Sequence, residues 1–243
     1  MQYWALTDAG DARSQNQDIY QIENLDKNTL LCVVCDGMGG AKSGNVASTL
    51  AADVFTEEIK GTWKPDMDGE TLDRMLCGAV KLANFTVYDQ AQQFPEFDGM
   101  GTTLVALLLH GKKATIVNVG DSRAYLVDSC GISQVTTDHS LVQMMIDRGE
   151  LPPEKAKHYP GKNFITRAIG TEQQVVCDIF HRKVERGDCF LLCTDGLSNL
   201  LDDQEILFEV AHGQDREQCC QRLLDIAKKR GAPDNVTSVL VSL

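Results

Sequence analysis

Leu31-Cys32-Val33-Val34-Cys35-Asp36-Gly37 is an apolar run that ends on an aspartate and a glycine. Its length and valine content read as a buried strand with a carboxylate at its end. The pattern recurs in Ile116-Val117-Asn118-Val119-Gly120-Asp121 and in Phe190-Leu191-Leu192-Cys193-Thr194-Asp195-Gly196. A fourth aspartate stands just before the last apolar run, in Pro233-Asp234-Asn235-Val236-Thr237. One Asp-Gly pair is ordinary turn chemistry. Four carboxylates at the ends of buried strands can converge on one sheet edge, where they would repel one another unless cations neutralised them.

Around these runs, strand-like stretches occupy 19–22, 29–35, 102–109, 114–119, 124–127, 189–193 and 236–241. Helical spacing places Val46, Leu50, Val54 and Ile59 on one face of 45–59, and Leu72, Leu76, Val80 and Phe85 on one face of 71–92. Further helices are expected at 141–148, 203–211 and 216–229. Strand and helix do not alternate regularly, so the pattern predicts an α+β fold of largely antiparallel sheets with helices over their outer faces. No repeat or linker interrupts the chain, and residues 1–243 read as one domain. The polar, Pro-containing stretch 139–170 reads as a flap.

The hydrophobic share of 43% in 243 residues supplies a sizeable core. A net charge of -12 argues against a nucleic-acid partner. It also opposes any anionic ligand, unless bound cations reverse the local field. No apolar run approaches the ~20 residues that span a bilayer. Residues 1–6 lack the pattern of a signal peptide, so a cytoplasmic protein is expected. The nine cysteines fit a reducing compartment. Cys32 and Cys35, three apart in a strand, point to opposite faces and read as packing residues.

Oxygen donors of this kind suit Mg²⁺ or Mn²⁺ rather than zinc, and no pair of the five histidines has a zinc-site spacing. Glycine after Asp36 and Asp195 leaves the backbone free to approach, so the Gly37 carbonyl is a further candidate ligand. A multi-carboxylate site for such ions points to phosphoryl chemistry. None of the cysteines is followed six residues later by arginine, which removes cysteine-nucleophile phosphatase chemistry. Gly40-Ala41-Lys42-Ser43 lacks the glycine spacing of a nucleotide-binding loop. Arg13, shortly before the strand at 19–22, carries the planar fork suited to gripping phosphate oxygens.

In order along the chain stand Arg-x-x-Asn-Gln-Asp at 13–18, Asp-Gly-Met-Gly-Gly at 36–40, Gly-Met-Gly-Thr-Thr at 99–103 and Val-Gly-Asp-Ser-Arg at 119–123. They are followed by Thr-x-Asp-His-Ser-Leu-Val at 136–142, Asn-x-Ile-Thr-Arg-Ala-Ile-Gly at 163–170, Cys-Thr-Asp-Gly-Leu at 193–197 and Pro-Asp-Asn-Val-Thr at 233–237. This ordered set resembles the metal-dependent protein phosphatases of the protein phosphatase 2C family, in their short bacterial form. The resemblance implies a central β-sandwich flanked by helices (αββα) and hydrolysis of phosphoserine and phosphothreonine in proteins. It implies two or three Mn²⁺ or Mg²⁺ ions, with Asp36 bridging two of them and the Gly37 carbonyl on one. By the same resemblance, Asp195 and Asp234 would complete the second site, and Asp121 with Asp195 would hold the third ion. Arg13 would bind the substrate phosphate, Asp18 would support the site from behind, and Asn235 would orient the Asp234 loop. The same resemblance implies that a metal-bridging hydroxide attacks phosphorus directly, with no phosphoenzyme.

The sequence departs from the family pattern in three places. Met38 stands where some members carry a histidine after the Asp-Gly pair, Gln17 replaces a carboxylate before Asp18, and His158-Tyr159-Pro160 carries one residue more than usual. His139 reads as structural at least as readily as catalytic. The resemblance implies phosphorylated proteins as partners, among them a serine/threonine kinase and its substrates, and a monomer without membrane insertion is expected. The competing readings are a hydrolase of small phosphoesters and a pseudophosphatase that binds phosphoproteins without cleaving them. The presence of Asp36, Asp195 and Asp234 weighs against the second.

Overall fold

Period-two alternation along the apolar runs sorts their side chains between two faces, and both faces are covered. The structure is a computed structural model that describes residues 1–39, 43–212 and 215–243, with Lys157 and His158 described by backbone alone. Gly40 of the second motif and the stretch 40–42 therefore lie outside the described residues, as does the side chain of His158. The chain opens with β1 (Gln2–Asp8), β2 (Asp18–Asp26) and β3 (Thr29–Met38), followed by helices α1 (Gly44–Thr62) and α2 (Gly69–Gln93). Five strands come next: β4 (Gly101–Thr102), β5 (Leu104–His110), β6 (Lys113–Val119), β7 (Arg123–Asp128) and β8 (Gly131–Gln134). Helix α3 (Leu141–Asp147) precedes β9 (Asp178–Lys183) and β10 (Cys189–Cys193). The chain closes with α4 (Asp195–Ser198), α5 (Asp203–His212), α6 (Cys219–Lys229) and β11 (Val236–Ser242).

One sheet has the order β1-β11-β10-β7-β8, the other β2-β3-β5-β6-β9, with β4 on the end of β3. Neighbouring strands run antiparallel throughout. Leu30, Cys32 and Val34 of β3 meet Phe190 and Leu192 of β10 and Val239 and Val241 of β11 between the sheets. The alternate residues Leu31, Val33 and Cys35 turn outward under α1 and α2. On the opposite side, Leu191, Cys193 and Leu240 pack under α4, α5 and α6. The result is the expected helix–sheet–sheet–helix sandwich, and it puts Cys32 and Cys35 in different layers as free thiols.

The differences from the sequence reading have local causes. Strands β1, β8 and β9 were not foreseen. Each lies at a sheet edge, half-buried and partly polar, without the long apolar run that marks the inner strands. The run at 102–109 is broken at Thr103, whose side chain and backbone bond Asp36 instead of continuing a ladder. In α1 the fully buried stripe is Ala47, Ala51, Ala52, Phe55 and Ile59, with Val46, Leu50 and Val54 at its margin. In α2 the stripe continues through Ala83 and Val87, and Phe85 points to solvent with 59% exposure. The helix at 216–229 begins as a 3₁₀ turn over Arg216–Gln218. No helix among the described residues is long and apolar enough to cross a membrane.

Two glycines let the chain close at one end of the sandwich. A Cβ on Gly196 would lie 1.9 Å from the Asn235 carbonyl oxygen, and one on Gly37 would lie 2.1 Å from the Gly44 carbonyl oxygen. These backbone contacts bring the ends of β10 and β11 together and seat α1 against β3. Phe190→Ala is expected to cost about 3–5 kcal/mol in urea unfolding, because Phe190 fills the layer between the sheets. Gly196→Ala should cost about 1–3 kcal/mol by forcing the Asn235 backbone away. Phe85→Ala should stay within about 0.5 kcal/mol of the parent.

Candidate metal centre

The antiparallel register delivers the strand-end aspartates to one place. Asp36 lies near the end of β3, Asp121 in the turn after β6, Asp195 at the start of α4, and Asp234 two residues before β11. All four line one open cleft of about 290 Å³, together with Arg13 and Gly37. Two further predicted residues stand behind its wall. Asp18 pairs with Asp36 across β2 and β3 and is buried. Asn235 is buried beneath Asp234.

A hydrogen-bond frame fixes these positions. Thr103 Oγ1 accepts from the Asp36 amide at 2.9 Å and shares a hydrogen bond with Ser122 Oγ at 2.7 Å. The Asp36 carbonyl accepts from the Thr103 amide at 2.9 Å and from Thr102 Oγ1 at 2.8 Å. The loop carrying Asp121 is thereby tied to β3. Asn235 Oδ1 accepts from the Gln17 amide at 2.8 Å, and its Nδ2 donates to the carbonyls of Ala9 and Gln15 at 2.9 and 3.0 Å. The Asn235 amide in turn donates to Asp234 Oδ1 at 2.9 Å, so one side chain joins the Arg13 loop to the Asp234 loop.

The turn after β6 has a second brace. His139 Nδ1 accepts from the Gly120 amide at 3.0 Å, and its Nε2 lies 3.1 Å from Asp178 Oδ2 and 2.9 Å from Arg167 Nη1. Arg167 donates to the other oxygen of Asp178 at 3.0 Å. Burial holds His139 below the usual imidazole range, in keeping with a neutral ring. Arg123 forms a bidentate pair with Asp138 at 2.7–3.1 Å and donates to the Tyr125 hydroxyl. His139 and Asp138 are thus structural braces beneath Asp121.

The electrostatics of the cluster are unfavourable for protein alone. Burial, followed by the charges of Asp18, Asp195, Asp121 and Asp234, drives the Asp36 carboxyl well above the usual carboxylate range. Burial and neighbouring aspartates push Asp18 and Asp121 up to about 7, and Asp195 is raised for the same reasons. Asp18 Oδ2 accepts from Thr194 Oγ1 at 2.8 Å, while its Oδ1 is buried without a hydrogen-bond partner. Arg13 reaches across to donate to Asp234 Oδ2 at 2.8 Å, half-exposed at the cleft mouth. Among the described residues, no three acidic, histidine or cysteine side chains form a ready-made metal cage. The carboxylates line a cleft instead, an all-oxygen arrangement with room for waters, which matches the preference of Mg²⁺-like ions for a partly hydrated shell.

Several supporting residues lie inside the sequence motifs but are not assigned to the site by the pattern alone. Thr103, Ser122 and Arg123 are of this kind, and the signal lay in their adjacency to the strand-end glycines and aspartates. Asn163 also lines the cleft. Lys162 and Asn199 line a smaller adjoining cavity of about 110 Å³ shared by Asp121 and Asp195, and Asn199 donates to Asp195 Oδ2 at 2.9 Å. Met38 lies on the cleft wall, where the resemblance had drawn attention to the missing histidine.

Comparison with known proteins places this geometry. The serine/threonine phosphatase stp of Listeria innocua is 34% identical over 236 residues, covering 97% of this chain and 93% of that protein. The serine/threonine protein phosphatase PstP of Mycobacterium tuberculosis is 34% identical over the whole chain, which spans 45% of the length of PstP. The crystal structure of the catalytic domain of PstP in complex with two manganese ions superposes with a TM-score of 0.84 at 33% identity, covering 99% of this chain and 97% of that one. The family description "Protein phosphatase 2C" matches residues 10–240, and with that match over nearly its whole length the chain belongs to the protein phosphatase 2C family.

Proposed function

We propose that this chain hydrolyses phosphoserine and phosphothreonine in proteins, with divalent cations held in the carboxylate-lined cleft. The observation that carries the reading is the convergence of Asp36, Asp121, Asp195 and Asp234 on one cleft that also presents the Arg13 guanidinium. Four crowded carboxylates are a poor place for an anion, and a good one once cations are bound. The family and the two manganese ions of the PstP catalytic domain support a divalent metal requirement. When bound, Mn²⁺ or Mg²⁺ would supply an acidified water as nucleophile and positive charge for the phosphoryl oxygens.

The protein's own groups divide the remaining work. Asp36 stands centrally and would bridge two ions, with the Gly37 carbonyl beside it. Asp195 and Asp234 would complete the second position, and Asp121 with Asp195 a third. Arg13 keeps donors beyond the one it gives to Asp234 and would grip the phosphate. Asp18 would hold water or an outer proton from behind. Asn235 is a positioning residue for Asp234 and the Arg13 loop. Among the described residues no histidine lines the cleft, so leaving-group protonation falls to a carboxyl or to water, without a phosphoenzyme.

A groove of about 360 Å³ along Ile165, Arg167, Thr171 and Val175 adjoins the cleft and shares Met38 and Ile165 with it. That extension favours a polypeptide substrate over a small phosphoester. The reading includes residues 1–243 as one catalytic domain acting as a cytoplasmic monomer, with a serine/threonine kinase and its substrates as partners and the stretch 139–170 as the flap over the groove. The retained carboxylates argue against a pseudophosphatase.

Phosphate release from a phosphothreonine peptide should require Mn²⁺ or Mg²⁺ and stop with excess EDTA; metal-independent release would contradict the proposal. Asp36→Asn and Asp195→Asn should each abolish turnover in folded protein, and near-normal activity in either would remove the metal assignment. Arg13→Ala should mainly raise KM. Asn235→Ala should destabilise the fold by about 1–3 kcal/mol through its unpaired buried partners and lower kcat even with saturating metal.

A further inference from the structure

All nine cysteines are free thiols, and their surroundings differ. Cys32, Cys35, Cys189 and Cys193 are buried within the sheets. Cys219 and Cys220 are buried on α6, with sulfurs directed to different backbone carbonyls, those of Glu209 and Trp4. Cys130 is exposed in the β7–β8 turn. Cys77 and Cys177 are half-buried, and their Sγ atoms lie 3.1 Å apart although a hundred residues separate them.

Regular structure, not a loose loop, holds this pair together. Cys77 sits within α2, and Cys177 directly precedes β9. The segment leading to Cys177 is sewn onto α2 by Asn84, whose Nδ2 donates to the carbonyls of Glu172 and Gln173 at 3.0 and 3.3 Å. Asn84 Oδ1 also accepts from the Gly170 amide at 2.8 Å. Val175 is buried in the layer beneath α2, with Cys177 and Ile179 packed against it. A disulfide needs a sulfur separation of about 2.0 Å, so closing the bond asks for a movement of about 1 Å.

We infer that Cys77 and Cys177 form a peroxide-sensitive modification site that closes to a reversible intramolecular disulfide. Hydrogen peroxide is the oxidant. Its O–O bond breaks as one sulfur gains an S–O bond and one water leaves. The second sulfur then attacks the first, the S–O bond breaks, and a second water departs. The two thiols lose two protons and two electrons, and the peroxide is reduced to two waters. Burial, followed by contact with Cys77, pushes the Cys177 thiol up to about 12, so the first oxidation falls on Cys77 and Cys177 resolves it. A dithiol reductant reverses the bond by exchange. Cytosolic disulfides are typically of this transient, redox-sensing kind. The bond would staple α2 to the residue next to Asp178, the carboxylate that braces His139. The inference rests on the sulfur geometry and is independent of the reaction assigned to the cleft.

The test treats the reduced, EDTA-washed full chain with hydrogen peroxide, followed by proteolysis without reductant and mass spectrometry. The expected product is a peptide pair joined through Cys77 and Cys177, lighter by two hydrogens and separated again by dithiothreitol. Cys177→Ser should leave a sulfenic acid on Cys77 that dimedone traps, and Cys77→Ser should abolish the linked pair. Recovery of both residues as unlinked thiols while Cys130 is oxidised, or either joined to another cysteine, would overturn the inference; the unsubstituted chain alone decides this.

Discussion

The mutual repulsion of aspartates crowded at one end of the sandwich is the constraint on which the site depends. Burial and proximity raise the proton affinity of Asp18, Asp36, Asp121 and Asp195, and the charge of Asp234 adds to the effect on Asp18, Asp36 and Asp195. Each ion would cost less free energy a few ångströms further into solvent. The fold nevertheless holds them inward, using the stiffness of buried strands and a frame of hydrogen bonds that would otherwise be surplus to stability. Thr103, Ser122 and Asn235 make that frame.

Placement and chemistry are therefore linked through the sheets. Because β3 and β6 both pack beside β5, the ends bearing Asp36 and Asp121 emerge on the same side. Because β10 and β11 are adjacent, Asp195 and Asp234 emerge together, helped by the missing side chain of Gly196. The two sheets then contribute a pair of carboxylates each. A cation held between them would tie one sheet to the other, so metal binding and sandwich closure would be the same event in part.

Much of this was legible in the chain because the inner strands are apolar on both faces and three of them run into a paired aspartate and glycine. The reading of 29–35, 114–119 and 189–193 needed only composition and punctuation. The edge strands were hidden for the converse reason. Asp178-Ile179-Phe180-His181-Arg182-Lys183 of β9 is mostly polar, and Gln2–Asp8 looks like an unremarkable terminus until β11 pairs with it. The four aspartates and Arg13 were identifiable as candidates, but the ion pair between Arg13 and Asp234 was not, since 221 residues separate the partners. Phe85 shows the limit of helical spacing: five residues from Val80, it leaves the buried stripe that Ala83 and Val87 continue.

Thermal unfolding of the Asp36→Asn protein beside the parent, with and without saturating Mn²⁺ at neutral pH, tests the central claim most directly. If repulsion among buried carboxylates is the governing term, the metal-free variant melts above the metal-free parent, because a neutral amide replaces the most strongly perturbed acid. Mn²⁺ should then raise the parent Tm steeply and the variant Tm little, inverting their order. A variant that melts below the parent without metal, or gains as much from Mn²⁺, would contradict the account.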